Sequence, residues 1–520
     1  MQNDKTENAM RNLLYGILQK IVNLGMPFVT RTVIIHTLGT EYLGLGSLFS
    51  SVLQVLNLAE LGVGSAMIFS MYRPIAMGEK EKICALMALY RKYYRMIGLV
   101  ILAAGLLAAP ALPLFIKKDL PPDLNLYVLY GMNLGGTVLS YWLFAYRNSL
   151  LYAHQRNDCI DKTSAFVILI QQTVQIVTLL LFRNYYLYFL FLPLAQIAKN
   201  LINSRIAARL FPEYEPIGTL KKEEVRALNY RVRDLFISKS GNTVISSADS
   251  LVISSFLGLT ALAIYQNYYY IMHACILFVF LLFSSCTAGI GHSLVTETME
   301  KNYRNFETLT FLTVWISTVC ISGYVTLCQP FMELWAGREN LLSFPVVLLF
   351  GSCFYLSILC GLFSTYKDAA GIWHEDRFRP LVAAAVNLCL NLLLVSRYGT
   401  AAVLGSTVVA NLIIQIPWLL HILFRVLFRR KAGSYVRKLT GYTIVLTAIA
   451  GICLLICGLI VVNGIGGLLL KGVCCLLLSN VFLFLVYRKS AACRDCLSRV
   501  RRLAKRKYEK NDREKRRSLC

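Results

Sequence analysis

Five hundred and twenty residues would ordinarily divide into several soluble domains, yet 57% of this chain is hydrophobic and only 16% charged, with a mean hydropathy of +0.57. A soluble globular surface needs roughly 25% charged residues, so a set of soluble domains is excluded and a multi-pass membrane protein is expected. The 53 Lys+Arg against 28 Asp+Glu give a formal charge of +25, which on so apolar a chain is a topology signal rather than a nucleic-acid footprint; no nucleic-acid partner is expected.

A bilayer core of about 30 Å takes roughly 20 apolar residues per helix. Such runs fall at 12–37, 42–71, 94–116, 124–152, 163–182, 185–208, 234–256, 259–292, 306–332, 342–366, 378–396, 401–428, 439–461 and 464–487, which predicts an all-α protein with fourteen transmembrane helices. The first run is no cleavable signal peptide, because it is long, contains Lys20 and Arg31, and lacks a small-residue cleavage site. With a cytoplasmic N-terminus, the inner connections 73–95, 205–233 and 425–438 and the tail 488–520 carry net charges of +4, +3, +6 and +10. The outer connections are short and hold little charge, mainly Lys117, Lys118, Arg183, Arg338 and Arg397. The positive-inside rule therefore favours an even count and both termini in the cytoplasm.

An ionisable side chain inside a span is costly and is a functional candidate. In the first span Lys20, Asn23, Pro27 and Arg31 recur at i, i+3, i+7 and i+11, on one helical face. Glu60 follows, beside the glycines of Leu58-Ala-Glu-Leu-Gly-Val-Gly64, as a coupling acid at a helix bend or as a structural hydrogen-bonding group. Arg147 either lines the inner mouth or snorkels to the headgroups. Gln171, Gln172 and Gln175, with Lys199 and Asn200, suit sugar hydroxyls or helix–helix hydrogen bonds. The seventh span repeats the first stripe with Lys239, Asn242 and Ser246, and Asp249 lies seven residues after Asn242 on nearly the same face. Two lysines presented to one partly wet, low-dielectric cavity would attract an anion such as diphosphate and repel a drug cation. Snorkelling of Lys20 and Lys239 to the inner headgroups is the competing reading. Arg31 and Asp249 occupy adjacent repeat positions and suggest an outer gate or a permanent structural pair. Tyr265-Gln-Asn-Tyr-Tyr-Tyr270 reads first as an interfacial aromatic belt. In the tail, the basic run from Ser498 to Tyr508 suits either anionic lipid headgroups or a solvated tail.

Residues 12–39 align with 231–258 at an offset of 219, pairing Lys20 with Lys239, Asn23 with Asn242, Leu38 with Leu257 and Gly39 with Gly258. Gly62-x-Gly64 matches Gly289-x-Gly291 at 227, and Arg183 matches Arg397 at 214. The repeat predicts two six-helix lobes, 1–209 and 231–430, related by a pseudo-two-fold axis along the membrane normal. They are joined by a cytoplasmic linker at 210–230. Helices 13 and 14 within 431–487 form an appended pair, and 488–520 a basic cytoplasmic tail.

No catalytic constellation or phosphate-cradling glycine loop occurs, so no enzyme, cofactor or metal is expected. The 16 cysteines sit mostly in apolar runs as small buried hydrophobes, and Cys493-x-x-Cys496 is a lone pair with little metal or redox character.

Several segments resemble the Wzx-like polysaccharide flippases of the multidrug/oligosaccharidyl-lipid/polysaccharide superfamily, in the branch common in Gram-positive bacteria. They are Arg31-Thr-Val-Ile-Ile-His-Thr-Leu-Gly-Thr-Glu-Tyr-Leu-Gly-Leu45, Leu58-Ala-Glu-Leu-Gly-Val-Gly-Ser65 and Leu151-Tyr-Ala-His-Gln-Arg156. Ala248-Asp-Ser-Leu-Val-Ile-Ser-Ser-Phe-Leu-Gly258, Tyr265-Gln-Asn-Tyr268 and Pro330-Phe-Met-Glu-Leu-Trp-Ala-Gly337 follow. Lys367-Asp-Ala-Ala-Gly-Ile-Trp-His-Glu-Asp376, Asn387-Leu-Cys-Leu-Asn391 and Arg397-Tyr-Gly399 complete the set. The resemblance spans nearly the whole chain up to the twelfth helix; Cys389 and Thr400 depart from the apolar or glycine residues expected there. It implies a plasma-membrane protein of two helical lobes that carries undecaprenyl-diphosphate-linked oligosaccharides across the bilayer by alternating access. The cationic cavity residues would be Lys20, Arg31 and Lys239, with Asn23, Asn242 and Arg147 beside them. H+ or Na+ coupling would fall to Asp249 or Glu60. The rival readings are a peptidoglycan lipid-precursor flippase, a multidrug/cation antiporter of the same superfamily and, from another class, a membrane glycosyltransferase or polymerase.

Overall fold

The computed structural model describes residues 2–117, 120–460, 462, 464–496 and 498. Lys118 and the tail beyond Ser498 lie outside the described residues, and so does nearly all of the basic run from Ser498 to Tyr508. The chain is an all-α multi-pass membrane protein. Seventeen α-helices, broken in places by 3-10 and π turns, account for its regular structure among the described residues. Each of the fourteen predicted segments falls on helix. Among the described residues, ten helices are long and apolar enough to cross a membrane.

In chain order, α1 (Gln2–Thr37) ends before Gly39, and α2 (Thr40–Leu56) runs into a 3-10 turn at Asn57–Glu60 before α3 (Val63–Met77). Then come α4 (Lys80–Ala108), α5 (Leu126–Trp142), the short α6 (Asn148–Ala153), α7 (Asn157–Phe182) and α8 (Tyr185–Leu210). They are followed by α9 (Lys222–Leu257), α10 (Leu259–Thr296), α11 (Met299–Ala336), α12 (Phe344–Ala369) and α13 (Arg379–Tyr398). Last are α14 (Thr400–Ala410), α15 (Ile416–Ile422), α16 (Gly433–Gly458) and α17 (Gly464–Tyr487).

Local chemistry sets many of these ends. Asn125 Oδ1 accepts from Tyr127 N at 3.0 Å and Val128 N at 3.2 Å to start α5, and Asn184 Oδ1 accepts from Leu187 N at 3.1 Å to start α8. The repeat-matched Gly39 and Gly258 both take positive φ, 123° and 100°, where a side chain would be strained.

Two predicted spans are broken rather than continuous. The span at 42–71 stops at the Asn57–Glu60 turn and restarts after Gly62, whose φ is 93°. The span at 124–152 breaks after Trp142, where Phe144 adopts φ 61°.

Contacts divide the chain into two compact units. The first comprises Met1–Asn267 and Arg377–Ser406. Within it, α1 lies along α7, α5 along α8, and α9 along both α13 and α2. The N-terminal half of α1 is tied to the start of α7, because Asn12 Nδ2 donates to Gln155 O at 3.0 Å and Asn12 Oδ1 accepts from Asp158 N at 2.7 Å. In the turn before α7 His154 packs on Phe211, and burial holds its imidazole below the ordinary range.

The second unit comprises Tyr268–Asp376 and Thr407–Cys520. Its core is aromatic around Phe306, which meets Tyr366, Phe428 and Tyr435 at ring separations of 4.8, 5.0 and 5.0 Å. α11 packs against α16 and α17, with Trp315 Nε1 donating to Asn480 Oδ1 at 2.9 Å. Buried Lys367 is neutralised by Asp376 at 2.7 Å. Arg304 binds Asp495 through two hydrogen bonds of 2.6 and 2.7 Å, which fastens the segment after α17 to α11. Among the described residues no His, Cys, Asp and Glu side chains group as a metal site.

Candidate functional site

The first unit holds a polar pocket of about 370 Å³ at the break between α2 and α3, walled by α4, the α5–α6 break, α8 and α9. The 3-10 turn that interrupts the helix brings Glu60 to its edge. Glu60 Oε1 accepts from Tyr94 OH at 2.8 Å, and Tyr90 OH donates to Tyr94 OH at 2.7 Å. The two tyrosines lie one helical turn apart on α4, so their hydroxyls fall on one line leading to the carboxylate. Gly64 is what lets this cluster close: a Cβ there would sit 3.1 Å from Tyr90 OH and 3.4 Å from Glu60 Oε1.

Lys239 enters the same pocket from α9. Its Nζ donates to Ser65 Oγ at 2.8 Å, and its charge acts on Glu60. On the opposite wall Asn200 Nδ2 donates to Ser140 O at 2.7 Å, and Asn148 Nδ2 reaches Asn200 Oδ1 at 3.5 Å. The buried Asn148 Oδ1 has no hydrogen-bond partner among the described residues. A buried carbonyl oxygen left without a donor is costly, and this one can accept from a hydroxyl or an amide. The pocket thus combines one ammonium, one carboxylate, an unmet acceptor and several phenols.

Of the sequence-predicted residues, the structure brings Lys239 and Glu60 together. Lys20 is exposed on α1 and does not line this pocket; the charge it meets is Asp161 on α7. Asn23 is exposed close by on α1. Asn242 lies on α9, but its side chain is outside the described residues. Arg147 turns to Ser204 Oγ at 3.3 Å and stacks over Phe144 at 5.7 Å.

Arg31 and Asp249 each bind an amide side chain. Arg31 Nη1 donates to Asn267 Oδ1 at 2.7 Å, beside a layer in which Thr30 donates to Gln172 and Gln175 Nε2 donates to Tyr188 O at 2.8 Å. Asn267, from Tyr265-Gln-Asn-Tyr268, is fully buried in this layer. Asp249 Oδ1 accepts from Asn391 Nδ2 at 2.6 Å inside the α9–α13 contact. Asn391→Leu removes that donor from a buried carboxylate and is expected to cost about 2 kcal/mol, read as a lower melting temperature in detergent.

Sequence reasoning passed over Tyr90, Tyr94, Tyr141 and Ser65. The i,i+4 tyrosine pair was the available signal, but nothing local showed that it faces Glu60.

No family model matches the chain, and no curated protein sequence matches it. Solved structures do. The lipid II flippase MurJ in its inward closed conformation aligns over 92% of this chain and 99% of its own, with a TM-score of 0.66 and 12% identity. An inward-facing multidrug resistance MATE family transporter of the MOP superfamily aligns over 79% and 96%, with a TM-score of 0.60 and 14% identity. The Vibrio cholerae MATE transporter VcmN aligns over 80% and 96%, at 0.54 and 15%. The chain therefore shares the fold of these three proteins.

Proposed function

We propose that this protein is a flippase that moves undecaprenyl-diphosphate-linked oligosaccharide units across the plasma membrane by alternating access, for cell-surface polysaccharide synthesis. The observation that carries the reading is the pocket chemistry. Lys239 supplies a cation for phosphate, while Asn148 Oδ1 and the surrounding phenols and amides suit sugar hydroxyls. A drug cation would gain little from a site whose Lys239 repels it.

The proposed topology has fourteen spans with both termini cytoplasmic. Besides the ten apolar spans it counts α1, α5, α8 and α9. These four carry Lys20, Tyr141, Asn200 and Lys239, as expected of helices that border a hydrated path. Lys20 would take part in drawing in the anionic headgroup, with Asn23, Asn242, Arg31 and Arg147 further along the path. Glu60 and Asp249 remain the acids proposed for H+ or Na+ coupling.

A second reading, a peptidoglycan lipid-precursor flippase, is favoured by the 92% alignment with a lipid II flippase. Reconstitution in liposomes tests both. Undecaprenyl-diphosphate oligosaccharide is expected to cross faster than sugar-free undecaprenyl diphosphate or a drug cation. Faster transport of lipid II than of the oligosaccharide selects the second reading. Drug-cation transport without headgroup transport rejects both.

A further inference from the structure

A second cavity, of about 530 Å³, opens at the opposite end of α7 from Arg183, where α1, α7 and α8 meet. Its lining divides by chemistry. Arg11, Arg156 and Lys162 with Asp158 form one part, and Phe166, Ile202 and Ile206 the other. Asp158 is held by Arg156 through hydrogen bonds of 2.9 and 3.0 Å and faces Arg11 at 3.8 Å. Among the residues that line the cavity, one carboxylate stands against three cations. Lys162 Nζ lies 5.7 Å over the Tyr15 ring, with its side chain exposed. One turn further along α7, Phe166 is 60% exposed and begins an apolar stripe continued by Leu169, Ile170 and Val177. On a membrane helix such a stripe faces acyl chains. The cations at its head then sit where a bilayer places its phosphates.

We propose that this cavity binds one anionic phospholipid, with its phosphodiester against Lys162, Arg156 and Arg11 and an acyl chain along Phe166 and Ile202. The site is separate from the polar pocket at Glu60 and does not depend on what the protein transports. A free phosphate would use only the basic part and leave the apolar wall without a partner. Charge and wall together select a lipid.

Native mass spectrometry of the purified full chain tests this with phosphatidylglycerol, phosphatidylcholine and glycerol phosphate as probes. Lys162→Gln is expected to weaken phosphatidylglycerol binding about fivefold, and adding Arg11→Gln to bring the loss to roughly 20-fold. Phosphatidylcholine, whose phosphodiester is offset by its own ammonium, should lose less than phosphatidylglycerol. Phe166→Asp, which keeps every cation, should also weaken phosphatidylglycerol. Unchanged binding in Lys162→Gln and Phe166→Asp would overturn the site. Displacement of the lipid by equimolar glycerol phosphate would overturn the lipid assignment in favour of a free phosphate.

Discussion

Lys239→Ala is expected to slow translocation of a diphosphate-linked headgroup in liposomes by about two orders of magnitude. An ammonium about 5 Å from a phosphate charge, at an effective dielectric constant of about 20, contributes roughly 3 kcal/mol, which corresponds to about a hundredfold in affinity. Glu60 would also lose the neighbouring cation that acts on it. The loss should appear mainly as weaker substrate binding, and Lys239→Arg should restore much of it by keeping the charge. Lys20→Ala should cost less, because Lys20 is exposed and already has Asp161 near it. If the Lys20→Ala, Lys239→Ala double variant folds and transports normally, the cationic-site reading fails.

The difference between the two lysines shows what the sequence carried and what it did not. Their spacing with Asn23 and Asn242 is a local, periodic property of one helix each, and it was legible. Their partners are not local. Ser65 lies 174 residues from Lys239, and Asp161 comes from α7. Periodicity along α1 and α9 says which face is polar, not which helix meets it. Helix interruptions divide in the same way. The bend beside Glu60 was signalled by Gly62 and Gly64, and the π turn at Asn411–Gln415 precedes Pro417, whose missing N–H and ring disturb the preceding turn. The break at Phe144 has no such marker. Leu143-Phe-Ala-Tyr146 contains neither glycine nor proline, and φ 61° is a conformation that an aromatic residue reaches only when its surroundings require it. That break is also where Ala145 and Asn148 join the pocket, so the least legible piece of backbone is one that shapes the candidate site.

Gly241→Ala is expected to lower stability by about 3 kcal/mol and to disturb transport as well. A Cβ at 241 would fall on the backbone carbonyl of Pro380 at the start of α13, closer than real Cβ contacts come. A flexible side chain could move aside, whereas a carbonyl at a proline cannot. The only relief is for α9 and α13 to separate, and small residues at such crossings are what allow membrane helices to pack closely. Separation would loosen the Asn391–Asp249 hydrogen bond further along the same contact. It would also shift Lys239, two residues away, from Ser65. Gly131→Ala on α5 is the matched control, since a Cβ there meets nothing within 4 Å; it should leave the melting temperature unchanged or slightly raised. A fall in melting temperature for Gly241→Ala alone, together with weaker headgroup binding, would show that the α9–α13 crossing holds Lys239 in register. Equal melting curves for the two variants would mean that α9 and α13 do not pack this closely, and the placement of Lys239 would then need another cause.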